Sequence, residues 1–444
     1  MNFELPASVR EMCRKLYQSG FDAYVVGGCL RDACLGLSPH DYDIATNARP
    51  EQIISLFAPE NCSEYGRAFG TVGVKYAGGF AEITTFRTEA DYTDCRHPGK
   101  VEFADHILDD LSRRDFTCNA MAWNAQTQTL YDPFHGREDL EHKILRCVGV
   151  PLARFREDAL RIMRGMRFCA RFGFHADPLT DAAMKAGAYR LTMISSERIL
   201  SELCGMLIGD DITAVLLRWP EILAVRIPEI SPCIAFSQHT HWHDFTVWEH
   251  IARTVGNIPP DLTLRLTMLF HDIAKPQCFT IDSQGGHFKN HAEKSAVMAD
   301  QVLKRLKSEN HLRERVCRLI LCHRTIPVTM KQVRHLLNFL DPQEFAMLLK
   351  VLDADRVSKL RGEPESDQKI KKAESLFHTC QEQNLCCQVR DLDIKGTDLI
   401  NLGFDGKQIG IVLKSLLESV ISDQIPNQKA ELLALAEEYH DLFC

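Results

Sequence analysis

Extended segments are confined to the N-terminal third of this chain. Residues 1–150 contain short apolar runs bounded by glycines, whereas the pattern from residue 154 onward is helical, with breaks only at clusters rich in proline and glycine. A small β-sheet is therefore expected near the start of the sequence. We predict an α+β fold, in which a head of mixed sheet plus helices is followed by an elongated all-α part.

Four short strands are predicted within the head. The run 22–26 indicates a buried strand that ends at a pair of glycines, and 42–45 indicates a second strand. Two more runs, 71–76 and 80–86, follow in succession, and the glycines between them are typical of a hairpin turn. These runs are sufficient for a small mixed sheet flanked by helices.

The segment 25–46, which reads VVGGCLRDACLGLSPHDYDIAT, carries the most informative local pattern. Two glycines between a strand and a helix allow the backbone to approach a ligand closely and direct N–H groups at phosphate oxygens. Arg31, in the first turn of that helix, adds a charge-assisted contact to the same phosphates. This part of the pattern predicts a phosphate-binding turn at Gly28.

Asp41 and Asp43 open the next predicted strand. Side chains at positions i and i+2 of a strand lie on one face, so both carboxylates point at the same volume. Their mutual repulsion is best relieved by a hard divalent cation such as Mg²⁺, which also binds substrate phosphates. Such a site suits a two-metal in-line displacement at phosphorus. For the aspartate pair taken alone, the alternative is an exposed turn with solvated acids.

Several ordered motifs extend this pattern over the first half of the chain. They are GGCLRD and DYDIAT within 27–46, SRRDFTCNAM at 112–121, DPFHG at 132–136 and REDALRIMRGMR at 156–167. Together they resemble the signature of class II tRNA nucleotidyltransferases and bacterial poly(A) polymerases, members of the DNA polymerase beta superfamily. The segments 83–87, 92–98 and 101–103 look like the flexible loop region of that family. The resemblance implies a DNA-polymerase-beta-like nucleotidyltransferase head.

The resemblance also implies roles for individual residues of the head. Carried over by position, the catalytic Mg²⁺ is bound by Asp41 and Asp43, and the nucleotide is held by Gly28, Arg31 and Arg114. Two further acids have alternative roles. Glu82 is either a third acidic group of the site or an outward-facing sheet carboxylate, and Asp115 either contacts the ribose or pairs with an arginine of its own RRDF motif.

The motif at 156–167 predicts how a base is selected. Asp158 and Arg161 are one helical turn apart and face the same way, and Arg164 and Arg167 continue the stripe in steps of three. Arginine donors and an aspartate acceptor match the Watson–Crick edges of C and A and offer the wrong groups to G and U. We therefore predict that these four residues bind the nucleotide and that the protein acts as its own template. The alternative is a solvated basic face.

A second constellation, rich in histidine, lies between residues 239 and 355. VWEH at 247–250, LFHDIAKP at 269–276, NHAEKS at 290–295 and DAD at 353–355 resemble the HD phosphohydrolase domain. In that family a histidine, a His-Asp dyad and a distal aspartate hold one divalent transition metal. The implied ligands are His250, His271, Asp272 and Asp355.

The same resemblance allows a second metal ion in this region. The remaining histidines of the constellation are His239, His241, His243, His287, His291 and His323. Imidazole with carboxylate suits a transition metal such as Mn²⁺ or Ni²⁺ better than Mg²⁺. Such a metal would activate water against a phosphomonoester or a cyclic phosphodiester. The alternative is a helical spacer with an idle site.

The motifs define four predicted domains. They are a nucleotidyltransferase head at 1–150, a helical neck with the templating motif at 151–232, an HD domain at 233–360 and a helical tail at 361–444. The tail resembles that of HD-bearing CCA-adding enzymes, which implies tRNA as a partner. The net charge of −8 excludes binding of nucleic acid by bulk charge, so glycine turns and helix N-termini are expected to contact the RNA backbone.

The expected activity is template-independent addition and repair of the terminal CCA of tRNA from CTP and ATP. Two alternatives share the fold, a poly(A) polymerase and a CC-adding enzyme. A third makes an HD-type phosphatase or phosphodiesterase the main activity, with a vestigial head. The first residues lack a secretory pattern, and no segment reaches the roughly 18 apolar residues of a membrane span. We therefore expect a cytoplasmic protein without a membrane partner, and the oligomeric state stays open.

Overall fold

The computed structural model describes residues 3–39, 41–64, 66–76, 79–92, 98–238, 245–282, 285–359 and 364–443. The chain divides into two compact units, Met1–Ser231 and Pro232–Cys444. A mixed sheet with flanking helices lies in the first unit, and the second unit is mainly helical. The predicted α+β fold is therefore confirmed.

The strands are short, and most of them lie in the first unit. They are β1 (Ala23–Val26), β2 (Asp43–Thr46), β3 (Cys62–Ser63), β4 (Thr71–Tyr76), β5 (Gly79–Thr85), β6 (Arg87–Tyr92), β7 (Pro98–Phe103), β8 (Ala122–Asn124), β9 (Thr129–Tyr131), β10 (Ile144–Leu145), β11 (His175–Ala176), β12 (Phe279–Asp282) and β13 (Gly285–Phe288). Only the last two, which form a hairpin, belong to the described part of the second unit.

Helices make up most of the rest of both units. Those of the first unit are α1 (Ala7–Gln18), α2 (Gly28–Cys34), α3 (Pro50–Phe57), α4 (Ile107–Ser112), α5 (Gly136–Glu141), α6 (Pro151–Glu157), α7 (Leu160–Phe172), α8 (Pro178–Gly187), α9 (Ser196–Leu207), α10 (Ile212–Arg218) and α11 (Pro220–Ala224). Those of the second unit are α12 (Val247–Asn257), α13 (Leu262–Phe270), α14 (Lys275–Cys278), α15 (His291–Arg305), α16 (Asn310–Cys322), α17 (Met330–Phe339), α18 (Pro342–Val357), α19 (Pro364–Glu382), α20 (Gly396–Asn401), α21 (Gly406–Ile421) and α22 (Lys429–Phe443).

The main sheet has seven strands in the order β3-β4-β5-β2-β1-β8-β9. Strands β2 and β5 are parallel, and the other neighbours are antiparallel. In this register Asp43 lies beside Val26 on one side and beside Glu82 on the other. The first residue of β2 therefore lies between two neighbouring strands, and Glu82, the candidate third acidic group, is directly adjacent to it.

An apolar cluster fixes the position of the central strands. Val26 of β1 and Ala45 of β2 pack with Phe86, Leu111 and Val148, and all five are almost completely buried. Burying a side chain of this kind stabilises a fold by about 1.5–3 kcal/mol. The strand ends that carry Gly27 and Asp43 therefore extend from a rigid core.

The helices α12 and α18, which carry the predicted metal ligands His250 and Asp355, both begin at capping boxes. Thr246 accepts a hydrogen bond from Glu249 N, and the Glu249 side chain accepts one from Thr246 N, at the start of α12. Asp341 and Glu344 form the same reciprocal pair at the start of α18. These boxes satisfy N–H groups that a helix leaves unpaired, so the sequence itself fixes where both helices start.

One prediction about helix geometry is wrong. Asp158 and Arg161 do not share a continuous helix, because α6 ends at Glu157 and α7 begins at Leu160. Asp158 has an extended backbone (φ −137°, ψ 106°), and its carboxylate accepts a hydrogen bond from Leu160 N at 2.9 Å. Aspartate favours such helix starts because its side chain competes for free backbone N–H groups.

The hairpin predicted over 71–86 is present as β4 and β5, which pair in antiparallel fashion. Gly78 of its turn lies outside the described residues, as do 93–97 of the predicted flexible loop and the histidines at 239, 241 and 243.

In the part of the chain that the structure describes, no helix has both the length and the apolar character that crossing a bilayer requires.

Candidate active site and metal cluster

A cavity of about 560 Å³ in the first unit collects most of the predicted head residues. The turn before α2, the start of β2 and one face of α7 form its walls, and Gly28, Asp41, Asp43 and Asp115 are among its lining residues. Its arginines outnumber its aspartates. They are Arg31, Arg113, Arg114, Arg161, Arg164, Arg167 and Arg171. A cavity with this excess of guanidinium groups attracts a polyanion such as a triphosphate.

The two predicted metal ligands open onto this cavity together. Asp43 is half-buried at the start of β2, and Asp41 is exposed two residues earlier. Burial raises the pKa of Asp43 above its ordinary value, and the charges of Glu82 and Asp41 raise it further, although Arg114 opposes them. A carboxylate that is both desolvated and close to other acids gains most from a divalent cation. The donor set therefore fits a hard cation such as Mg²⁺.

Gly27 allows the turn to lie close to these groups. Its φ of +81° is in the region that favours glycine. A Cβ atom at this position would lie 3.4 Å from Asp43 Oδ2 and 3.2 Å from Arg114 Nη1. Gly28 is the glycine that the family resemblance assigns to nucleotide binding. The structure shows that its neighbour Gly27 is the residue with the unusual backbone angle.

A polar network connects α2 to α7 beneath the cavity. Arg31 Nη1 donates to Asn119 Oδ1 at 2.9 Å, and Asn119 Nδ2 donates to Asp115 Oδ1 at 3.1 Å. The other carboxylate oxygen of Asp115 lies 3.1 Å from Arg164 Nε. Burial opposes ionisation of Asp115, but the charge of Arg164 lowers its pKa below the ordinary value. Asp115 therefore pairs with an arginine of α7, whereas the arginines of its own motif, Arg113 and Arg114, pair with Asp110.

The arginines also stack on aromatic rings. The guanidinium carbon of Arg31 lies 5.0 Å from the centroid of Phe168 and 4.8 Å from that of Phe172. Arg164 and Arg167 lie 5.8 and 4.9 Å from the Phe168 ring. Arginine stacks well on aromatic faces, so Phe168 helps to hold several like charges close together.

The predicted templating residues are only partly brought together. Arg161, Arg164 and Arg167 line the cavity, whereas Asp158 lies outside its lining and pairs with Arg198 at 2.9 Å. Arg161 Nη1 lies 2.7 Å from Glu157 Oε2. Both members of the predicted reading pair therefore hold partners within the protein.

Asp110 is a buried acid that the sequence analysis missed. It is wholly buried on α4, and its carboxylate lies 2.7 Å from Arg113 Nη2 and 3.0 Å from Arg114 Nη2. Burial opposes ionisation, but the charges of Arg114 and Arg113 lower the pKa of Asp110 below its ordinary value. The available signal was the short spacing between Asp110 and the arginines three and four positions later, although both arginines follow the end of α4 at Ser112.

The second unit holds a separate metal-ligating cluster. One ligand atom each from His250, His271, Asp272 and Asp355 lies within 4.8 Å of all the others. His250 Nε2 is 3.0 Å from Asp355 Oδ1, and His271 Nε2 is 3.1 Å from Asp272 Oδ2. The structure thus brings together the four residues that the HD resemblance implied, from α12, the end of α13 and α18.

A second group of ligand atoms shares one residue with the first. Asp272, His291 and His323 also place ligand atoms within 4.8 Å of one another. His291 Nε2 lies 3.2 Å from Asp272 Oδ1, while Asp272 Oδ2 faces the first group. The carboxylate of Asp272 is therefore placed to bridge two cations. His287 is not a member of either group; it is half-buried and pairs with Asp282.

Backbone contacts fix the orientation of three imidazoles. Nδ1 of His271, His291 and His323 lies 2.6–2.8 Å from the carbonyl oxygen of the residue three positions earlier. A carbonyl can only accept, so Nδ1 donates to it in each ring, and Nε2 is the nitrogen that faces the cluster and offers a lone pair once it is deprotonated. Two such nitrogens, on His291 and His323, approach to 3.4 Å. Lone pairs that converge on two carboxylates fit a transition metal.

Two family models match this chain. Residues 23–146 match the poly(A) polymerase head domain, and residues 289–436 match a putative second domain of tRNA nucleotidyltransferases. The first contains the glycine turn, the aspartate pair and Arg114, and the second contains Asp355, His291 and His323. In these two segments the chain is similar to the family of poly(A) polymerases and tRNA nucleotidyltransferases.

Curated members of this family match about half of the chain. The CCA-adding enzyme of Lactobacillus delbrueckii subsp. bulgaricus is 42% identical over 221 residues, which are 50% of this chain and 54% of that protein. That of Lacticaseibacillus paracasei is 46% identical over 198 residues, 45% of this chain and 49% of that protein. The matched part of the chain thus spans about half the length of these curated relatives.

Solved structures of the family match nearly the whole chain. The CCA-adding enzyme of Bacillus stearothermophilus in complex with CTP has a TM-score of 0.70 at 26% identity and covers 98% of this chain and 97% of that one. The Thermotoga maritima CCA-adding enzyme complexed with tRNA has a TM-score of 0.60 at 19% identity, covering 96% and 93%. The second likeness is one of fold alone.

Proposed function

We propose that this chain adds and repairs the 3′-terminal CCA of tRNA, using CTP and ATP and releasing diphosphate. The observation that carries the proposal is the arginine-lined cavity beside Asp41 and Asp43. The lining residues between Gly27 and Asn119 lie within the segment that matches the poly(A) polymerase head domain. The likeness to a CCA-adding enzyme in complex with CTP extends over almost the entire chain and supports the choice of substrate.

In this proposal Asp41 and Asp43 hold Mg²⁺ and the arginines hold the triphosphate. When bound, Mg²⁺ lowers the pKa of the attacking 3′ hydroxyl and neutralises the leaving diphosphate. Arg114 reaches the edge of the aspartate pair, since its Nη1 lies beside Gly27 and its charge acts on Asp43. Fixed guanidinium groups orient the phosphates for in-line attack and cost no reorganisation during the reaction.

Base selection is assigned to Asp158 and Arg161. The donors of Arg161 and the acceptors of Asp158 complement C and A. Both residues hold internal partners, Glu157 and Arg198, so reading a base requires them to exchange those partners for the nucleotide. Arg164 and Arg167 line the same cavity and complete the nucleotide-binding set.

Replacement of Arg161 by alanine is expected to relax the choice of base more than it slows diphosphate release. Losing a pair of donors that hydrogen-bonds to a base reduces discrimination between correct and incorrect nucleotides by about 10- to 100-fold. Without these donors, a base with the wrong polar groups no longer leaves them unpaired. The measurement is kcat/KM for each of the four nucleoside triphosphates. A matched control is Arg218→Ala, since Arg218 pairs with Asp181 and lies outside the cavity lining. Unchanged base preference with a collapsed rate would refute the templating role.

The experiment that tests the proposed reaction is primer extension with purified protein and Mg²⁺. Transcripts of tRNA that lack CCA, CA or A are incubated with labelled CTP, ATP or both, and product lengths are read on a gel. Addition of three, two and one nucleotides, followed by arrest, is expected. Long adenylate tails would identify a poly(A) polymerase, and arrest after two cytidines would identify a CC-adding enzyme. No extension would reject the proposal.

The metal cluster supports a second activity, hydrolysis of a phosphomonoester or a 2′,3′-cyclic phosphodiester. The observation that favours it is the bridging position of Asp272 between two ligand groups. His250, His271 and Asp355 would hold one transition metal ion such as Mn²⁺ or Ni²⁺, and His291 and His323 a second. When bound, the metal supplies an activated water at neutral pH. Turnover of 2′,3′-cyclic AMP by metal-loaded protein tests the activity, and absence of turnover would mark the site as idle.

Metal binding to this cluster is expected to release a proton. Burial opposes protonation of His271, but Asp272 and Asp355 raise its pKa to about 9, so the metal-free ring is charged at pH 7. A cation at Nε2 must displace that proton, so the apparent affinity should rise about tenfold per pH unit from pH 7 toward pH 9. Calorimetric titration with Mn²⁺ in buffers of different ionisation enthalpy measures the release. His287→Gln should behave like the wild type, and an affinity independent of pH would contradict the assignment.

A further inference from the structure

The carboxylate of Asp110 joins two neighbouring arginines of the head cavity. Arg113 Nε and Nη2 donate to Oδ1 at 3.1 and 2.7 Å, and Arg114 Nε and Nη2 donate to Oδ2 at 3.3 and 3.0 Å. Each guanidinium thus presents its Nε–Nη2 edge to a different oxygen of one acid. Both arginines line the cavity, whereas Asp110 is wholly buried behind them.

These contacts leave one edge of Arg114 directed at the site. Arg114 Nη1 donates to Asn119 O at 3.3 Å and lies beside Gly27. Three of the five N–H donors of Arg114 therefore have partners among the described residues, and the remaining ones belong to the Nη groups. An arginine side chain is long and flexible, so an acid that holds the Nε edge aligns the Nη groups in advance of binding.

The acid also sets the local charge. Arg113 and Arg114 are adjacent and would repel each other inside a poorly solvated wall. One carboxylate between them offsets one of the two charges and leaves a net positive charge on the cavity side. Asp109, the preceding residue, is a partly exposed carboxylate of the same helix, but among the described residues both guanidinium groups contact the carboxylate of Asp110 and not that of Asp109.

We propose that Asp110 is a positioning residue for nucleotide addition, which aims Arg114 and Arg113 at the triphosphate of the incoming nucleotide. The inference rests on the proposed function of the cavity. Asp110 does not itself touch the substrate, because its two oxygens are occupied by the arginines. Any effect of Asp110 on catalysis must therefore act through Arg113 and Arg114. A residue that served folding alone would not depend on these arginines in this way.

The test is a double-mutant cycle between Asp110→Asn and Arg114→Ala. Asparagine keeps the shape of the side chain but removes its charge, so Asp110→Asn is expected to raise the KM for CTP about 10- to 100-fold. The KM for tRNA should change by less than about threefold. In the Arg114→Ala background, Asp110→Asn should add less than about twofold, because the group through which it acts is gone. Asp109→Asn is the control and should match the wild type.

Two results would overturn the inference. One is a KM for CTP in Asp110→Asn within about twofold of the wild type, and the other is a pair of effects that multiply instead of saturating. Thermal unfolding shows which variants are folded at the assay temperature. If Asp110→Asn is unfolded at that temperature, Asp110→Glu replaces it in the test. Glutamate keeps the charge but displaces it, so Asp110→Glu is also expected to raise the KM for CTP.

The failure of the proposed function is visible separately. If the wild-type protein adds no nucleotide, the proposed reaction is wrong, and the positioning role is then decided by the dissociation constant of CTP with Mg²⁺, measured by calorimetry on the same variants. The role is supported if Asp110→Asn has a larger dissociation constant than the wild type and if this difference disappears in the Arg114→Ala background. Equal constants for Asp110→Asn and the wild type reject it.

Discussion

Replacement of Asp43 by asparagine is expected to abolish nucleotide addition, with a loss in kcat of at least about 1000-fold, as for other groups that stabilise transition-state charge. Asp43 opens onto the arginine-lined cavity, and an amide binds a hard cation far more weakly than a carboxylate does. The measurement is single-turnover addition of CMP to tRNA that lacks CCA.

The fold should survive this substitution. Burial and the neighbouring acids already raise the pKa of Asp43, so the ionised carboxylate is a strained group in the absence of a cation, and its removal costs little stability. Asp105→Asn is a suitable control because Asp105 is an exposed carboxylate of the same unit that pairs with Arg49. Retained addition by the Asp43 variant would instead show that the reaction does not depend on a metal ion held by Asp43.

Replacement of Asp272 by asparagine is expected to lower the affinity of the second unit for Mn²⁺ or Ni²⁺ by at least about 100-fold, since even groups that only orient a ligand contribute roughly 10- to 100-fold. Asp272 belongs to both ligand groups, so its loss should reduce the binding of both ions at once. Metal content after dialysis, together with calorimetry, measures the change.

The matched control for Asp272 is Asp282→Asn. Asp282 is an exposed carboxylate of the same unit, paired with His287 and outside both ligand groups. This variant should retain wild-type metal binding. Nucleotide addition by Asp272→Asn should be unaffected, because the proposed addition site lies in the other compact unit. Undiminished metal binding by Asp272→Asn would exclude the cluster as the metal site.

The central strands of the head could be predicted from the sequence because their signals are local. The run before Gly27 is apolar and ends at a residue with positive φ, and the i, i+2 spacing of Asp41 and Asp43 placed both on one cavity. The relation of Glu82 to Asp43 follows from a parallel strand pairing that joins distant segments. Periodicity alone does not specify such a pairing.

Two features of the head were beyond the sequence argument for physical reasons. The helical spacing of Asp158 and Arg161 fails because aspartate binds a backbone N–H at the start of α7 and interrupts the helix. Asp110 has the pattern of a surface acid, and its burial arises only when α4 packs beneath the cavity. Residue spacing does not reveal that a side chain will bind a backbone N–H and end a helix, as Asp158 does. It also does not reveal that an acid will be buried by tertiary packing, as Asp110 is.

In the second unit, the candidate metal ligands could be named from the family resemblance, but the distances between them are known only from the structure. His250 and Asp355 are separated by 105 positions, yet their side chains lie 3.0 Å apart. The bridging position of Asp272 depends on which oxygen faces which imidazole, and a sequence motif does not contain that information. The orientation of the rings likewise depends on carbonyl groups of the helices that carry them.

The most direct test of the central claim is a crystal of the protein with Mn²⁺ and a nonhydrolysable CTP analogue, with data collected at an energy where manganese scatters anomalously. The account predicts an anomalous peak within roughly 2.5 Å of a carboxylate oxygen from both Asp41 and Asp43, with the triphosphate against Arg114. A triphosphate bound elsewhere, or no peak between the two aspartates, would contradict it.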